Sequence, residues 1–95
     1  MNKLYLISYN LKGDNDKIRF HDYIKSLCKN DYITDWWHYI DNSYIVASSL
    51  NVEKLYDIVS KGNPNQYIFI VEVDTENAQG WLPKKAWDWL SKYWK

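Results

Sequence analysis

Two short segments of the chain are apolar on both faces, and a strand of that kind cannot lie on a sheet with one side open to water. In residues 67–73 the alternation of a pleated strand puts Tyr67, Phe69, Val71 and Val73 on one side and Ile68 and Ile70 on the other. In residues 4–9 it puts Leu4 and Leu6 on one side and Tyr5, Ile7 and Tyr9 on the other. Both runs are short, free of Gly and Pro, and rich in β-branched or aromatic residues, which suits strands better than helices. The fold must therefore cover both faces of its sheet.

The remaining elements follow from local patterns. Asn10 to Asn15 contains turn formers, and Asp14 is placed as the cap of a first helix whose apolar stripe is Phe20, Ile24, Leu27 and Cys28, with Tyr23 alongside. Lys17, Asp22, Lys25 and Lys29 face water on that helix, and Asn30-Asp31 ends it. Residues 34–40 carry Trp36, Trp37, Tyr39 and Ile40 and read as a second strand. Asp41-Asn42-Ser43 tolerates left-handed backbone and joins it to a third strand at residues 44–48 in a tight hairpin. Asn51 caps a second helix over residues 52–61, with Val52, Leu55, Tyr56 and Val59 as its stripe and Gly62 as a left-handed terminator. Residues 62–66 form a loop, residues 67–73 the fourth strand, and Pro83 opens a final helix reaching Trp94.

This order predicts one α+β domain over residues 1–95, a ferredoxin-like βαββαβ core (1–80) followed by an aromatic C-terminal helix (81–95). Strands one and three are expected at the centre of an antiparallel sheet, with two helices on one face and strands two and four at the edges. Strand four has neither Lys nor Pro to discourage pairing with another chain. The face opposite the two helices needs the C-terminal helix, a second copy, or both, so a homodimer is expected in which that face and the segment after strand four take part.

Charge and composition restrict the function classes. Lys plus Arg and Asp plus Glu number 12 each, so there is no net pull toward nucleic acid or anionic membranes. The single cysteine, Cys28, has no internal partner, which favours a reducing, cytoplasmic setting. The first residues pass straight into the alternating strand, and no run approaches the roughly 20 apolar residues that span a bilayer, so neither secretion nor membrane spanning is expected.

The six Trp and nine Tyr are the unusual feature. In Trp36-Trp37-His38-Tyr39, Trp36 and His38 share one face and Trp37 and Tyr39 the other. Aromatic faces on an open sheet can stack bases, but a stacking surface comes with a basic groove and here Asp35 and Asp41 flank the cluster, so packing is the favoured role. His38 and His21 lack the spacing of a metal motif and read as structural or solvated. Cys28, on an apolar stripe, reads as a small hydrophobe. Asp14, Asn15 and Asp16 resemble the start of a calcium loop without its Gly and distal Glu, so they read as capping residues. Lys84, Lys85, Lys92 and Lys95 against Asp88 give the last segment a local charge of about +3, with Trp81, Trp87, Trp89 and Trp94 in it. Aromatic docking with solvated lysines is favoured there over a membrane-surface or nucleic-acid helix. Trp36, Trp37, His38, Trp81 and Trp87 are the candidates for an interface or ligand site, and no cofactor motif is present.

Taken together, Leu4-Tyr5-Leu6-Ile7-Ser8-Tyr9-Asn10-Leu11, Trp36-Trp37-His38-Tyr39 and Gly80-Trp81-Leu82-Pro83-Lys84 resemble the small bacterial proteins termed SinR-like, over nearly the whole chain. The chain contains no helix-turn-helix, so the regulator's function does not come with that label. More distantly, strand order and the end of strand one are similar to the CRISPR-associated nuclease-like proteins and VapD-type toxin ribonucleases. That resemblance implies a ferredoxin-like homodimer with an Asp at the end of strand one, near the two-fold axis, holding a divalent metal. Asn10 stands at that position, and an amide is a much poorer ligand for a hard cation than a carboxylate. The expected function is a non-catalytic, homodimeric binding module. The alternatives are a ribonuclease using Mg or Mn with Asn10 and Asp14 at its site, or a nucleic-acid binder that does not cleave.

Overall fold

The β-branched and aromatic runs form strands and the amphipathic stretches form helices in a computed structural model that describes residues 2–62, 66–74 and 78–93. The elements are β1 (Lys3–Tyr9), α1 (Asp14–Lys29), β2 (Asp35–Ile40), β3 (Ser43–Ser48), α2 (Val52–Ser60), β4 (Ile68–Glu72) and α3 (Lys84–Tyr93). The strands make one sheet in the order β2-β3-β1-β4, each neighbouring pair antiparallel. β1 and β3 are therefore central and β2 and β4 are edges, as expected. No helix among the described residues is long and apolar enough to cross a membrane.

Register decides what each face carries. Ile7 lies opposite Tyr44 on β3 and Ile70 on β4, and Tyr5 opposite Val46, which makes a continuous apolar surface. Phe20, Ile24 and Leu27 of α1 and Leu55 and Val59 of α2 close over it as one buried cluster. Leu4 and Ala47 belong to the opposite face, where they meet Leu90 of α3 together with Ile45, Val73, Trp87, Trp89 and Tyr93. Tyr93 donates its hydroxyl to Asp35 at 2.9 Å, tying the end of α3 to the start of β2. Both faces of β1 are thus used, which explains its lack of alternation.

Three local expectations are corrected. The N-cap of α1 is Gly13, in extended conformation and without a side-chain cap, while Asp14 is the first helical residue. There its carboxylate, with that of Asp16, meets the positive end of the helix dipole instead of accepting a capping bond. Pro83 stands one residue before α3 and accepts from the amide of Ala86 at 2.9 Å. The expected end of this helix at Trp94 and most of the expected loop after α2, residues 63–65, lie outside the described residues.

Gly62 is the third. No described glycine has a positive φ; the left-handed residues are Asp31 (65°), just past α1, and Asn42 (60°), in the hairpin. Gly62 is instead needed for close approach, because a Cβ there would stand 2.2 Å from Cδ2 of the Tyr23 ring. That ring cannot swing aside freely, since its hydroxyl donates to the carbonyl of Ile58 at 2.6 Å. Asn51 does cap α2 as expected, accepting from the Lys54 amide at 2.9 Å. Gly62→Ala is expected to lower unfolding stability by about 1–3 kcal/mol through overpacking against Tyr23. Urea denaturation measures it, and an unchanged midpoint would refute the packing role.

Candidate functional site

The hairpin ladder is irregular at one place. Trp37 pairs with Ile45 and Ile40 with Ser43, so His38 and Tyr39 of β2 face Tyr44 alone on β3. Such a bulge re-aims side chains, and here His38 lies flat on the Tyr44 ring, with centroids 4.1 Å apart and planes 9° from parallel. The Nδ1 of His38 is 2.8 Å from the Ser43 carbonyl oxygen. A carbonyl only accepts, so Nδ1 carries the proton and donates.

α1 brings His21 to the same place. Its Nδ1 is 2.5 Å from the hydroxyl of Tyr44. Its ring meets Trp36 edge-on at 5.0 Å and lies 5.9 Å from the ring of His38. Tyr44 is buried beneath both imidazoles, flanked by Tyr9 and Phe20 at 5.8 Å each. Lys17, one turn before His21, pairs with Asp41 at the hairpin tip across 2.8 Å.

Burial sets the acid–base properties of this cluster. It pushes the Tyr44 phenol up to about 12 and that of Tyr9 further, where the adjacent Tyr44 and Asp41 add to the effect. His21 is held below the usual imidazole range, first by burial and then by the nearby His38 and Lys25, against the opposing pull of Asp22. The hydrogen bond from Lys17 holds Asp41 below the usual carboxylate range.

The structure brings some of the sequence candidates together and separates others. Trp36 and His38 share this cluster. Trp37 is on the other side of β2, edge-to-face with Tyr39 at 5.2 Å. A groove of about 340 Å³ runs round that strand, lined by Trp36, Trp37, His38, Tyr39 and Trp89 of α3. Trp87 packs beside Leu4, Ala47 and Leu90. Trp81 is 99% exposed and lines a shallow pocket with Leu82 and Pro83. Cys28 is half-buried, with its Sγ 3.5 Å from the Thr34 carbonyl oxygen and its thiol pushed up by burial, which disfavours a nucleophile.

Asn10 lies between two hollows. One, of about 310 Å³, is lined by Ser8, Tyr9, Tyr67, Ile68 and Phe69, and the other, of about 350 Å³, by residues that include Lys12, Asp16, Gln66 and Tyr67. Asp14 lines neither; Asp16 does, and its carboxylate is paired with Arg19. Among the described residues no three His, Cys, Asp or Glu side chains are grouped to hold a metal.

His21 and Tyr44 are the partners that sequence reasoning missed. His21 is adjacent to Phe20 on the border of the α1 stripe, a weak sign of half-burial, but its pairing with Tyr44 depends on how α1 lies across the sheet. Comparison with protein-family models, curated proteins and solved structures gives no significant match.

Because the fold favours neutral His21, its contribution is complete above the ordinary imidazole value of about 6.5 and is lost as pH falls through the lower folded value. Thermal stability should therefore decline from pH 7 toward pH 5, and less steeply in His21→Gln. Parallel declines in the two proteins, followed by circular dichroism, would remove His21 as the cause.

Proposed function

We propose that the protein is a non-catalytic, ferredoxin-like interaction module that works as a homodimer through the uncovered part of its second sheet face and the β4 edge. The fold reading is supported by the strand order β2-β3-β1-β4 and by helices α1 and α2 each linking strands that have one strand between them.

The observation that carries the reading is an apolar strip beside α3. That helix meets the face around Leu4 and Ala47, with Ile45 and Val73 packed against the same cluster. Next to that cluster, Leu6 lies beside Val71, and Phe69 lies beside Ser8. Phe69 is 65% exposed, and Tyr67, continuing the same row, is 85% exposed. Single exposed apolar residues are ordinary, but a contiguous row on a sheet is a site of association.

The adjoining edge adds a second reason. The amide of Val73 donates to the Leu4 carbonyl at 2.9 Å. By the parity of an antiparallel ladder, Val71 and Phe69 also turn their backbone groups toward β1, and Ile68, Ile70 and Glu72 turn theirs outward. Strand β4 has no Lys, Pro or bulge to protect that edge. A second copy satisfies both features at once, since β4 pairing with its two-fold mate joins the two apolar strips side by side. Zero net charge sets up no overall repulsion between copies. The neutral Asn10 weighs against a metal-dependent ribonuclease, and the charge balance weighs against nucleic-acid binding.

Sedimentation equilibrium at micromolar concentration is expected to give a dimer, and Phe69→Asp a folded monomer. A monomeric parent protein would overturn the proposal, as would a Phe69→Asp variant that dimerises with undiminished affinity.

A further inference from the structure

We infer that Lys12 and Glu72 determine the register and the partner of the β4 association: at each end of the paired strands, Glu72 of one copy meets Lys12 of the other. The inference rests on the homodimer reading and adds to it the residues that make this edge specific for a second copy of the same chain.

The register follows from parity and length. The Val73 amide donates to Leu4 of β1, so by alternation Ile68, Ile70 and Glu72 turn their backbone groups to the open side of β4. Two antiparallel copies related by a two-fold axis can exchange those groups only with one of these three residues on the axis. Ile70 is the middle residue of Ile68–Glu72, and with it on the axis all five residues of the strand are paired. Placing Glu72 there sets two carboxylates directly against each other, and placing Ile68 there leaves Ile70 opposite residue 66, beyond the strand. With Ile70 on the axis, Phe69 lies opposite the partner's Val71 on the second face. That is an aromatic and β-branched pair at the closer, non-hydrogen-bonded position, made by two side chains that are exposed in the single chain.

Glu72 then lies opposite the partner's Ile68. Its side chain is on the helix-covered face, since it is across from Tyr5, just as Ile70 and Ile68 are across from Ile7 and Tyr9 of the core under α1 and α2. Lys12 is at the other end of the strand. It lines the hollow that also holds Gln66 and Tyr67, just before β4, with Gly13 and Asp16 at the start of α1. Antiparallel pairing brings the Glu72 end of each copy to the Lys12 end of the other, so the contact is made twice per dimer.

Both side chains are open to such a partner. Lys12 and Glu72 are exposed, and among the described residues neither makes an ion pair within its own chain, unlike Lys17, Arg19 and Lys84. Asp16, the carboxylate in the Lys12 hollow, is taken by Arg19, and Lys3, diagonal to Glu72 on β1, is not bonded to it. Exposed ion pairs add little affinity each. Their effect is on choice of partner and register, because a shifted pairing loses both contacts and sets like charges together.

Sedimentation equilibrium of the full chain, of Lys12→Glu and of Glu72→Lys tests the inference. Each reversal alone puts like charges at both ends of the dimer and is expected to weaken it about tenfold. An equimolar mixture of the two variants is expected to recover the parent affinity, since the mixed dimer has opposite charges at both ends. Added sodium chloride should weaken the parent dimer and strengthen the two reversed homodimers, and the parent's response needs no variant to fold. A dimeric parent whose affinity is unchanged by either reversal and by salt overturns this inference alone, as does a mixture no tighter than the separate variants. A monomeric parent overturns both the inference and the homodimer on which it rests.

Discussion

Buried tyrosine hydroxyls set the arrangement of this domain. A phenol ring contributes a large apolar area, but its oxygen must find a partner inside the protein or leave a polar group unsatisfied at a cost of about 1–3 kcal/mol. Tyr5 donates to the carbonyl of Leu50 at 2.7 Å, Tyr23 to that of Ile58, and Tyr44 meets His21. Each bond joins a ring on one element to a different part of the chain: the connection into α2, α2 itself, and α1. The core is therefore positioned by directional contacts as well as by close packing, and the orientation of the His21 imidazole follows from where Tyr44 must place its oxygen.

The opposite face is governed by supply of apolar surface. A chain of 95 residues has too little helix to cover a four-stranded sheet on both sides. α1 and α2 close one face, and α3 closes the part of the other around Leu4, Ala47 and Ile45. The aromatic excess divides accordingly: Tyr5, Tyr44, Phe20 and Trp37 are buried, whereas Tyr67, Phe69 and Trp81 remain outside. An abundance of rings that looks at first like a ligand-binding signature is in large part the material of a core, with a few rings left on the surface.

Much of the fold was legible because side-chain period reports the environment of a segment directly. The two-sided apolar runs marked β1 and β4, and the short polar break at Asp41-Asn42 marked the hairpin, where Asn42 has the left-handed backbone its side chain tolerates. The split of Trp36 and His38 from Trp37 and Tyr39 also followed from alternation. The bulge did not, because one extra residue in a strand leaves no trace in a pattern already dense with aromatics. Gly62 illustrates another limit: a glycine required by the ring of Tyr23, far away in sequence, looks the same as one required by a turn. The cluster of His21, His38 and Tyr44 was hidden for a related reason, since it exists only once α1 is laid across a particular register of β2 and β3.

The two edges of the sheet differ in a way that bears on the size any assembly can reach. β2 is interrupted between Trp37 and Ile40, so its outer rim is kinked, whereas β4 pairs with β1 in unbroken register from Ile68 to Glu72. A protein with two flat rims can be joined from either side and so propagate into a fibre. One with a single flat rim has that rim consumed by the first partner. The bulge that turns His38 onto Tyr44 would thus also act as a stop, limiting growth along the sheet to a closed pair.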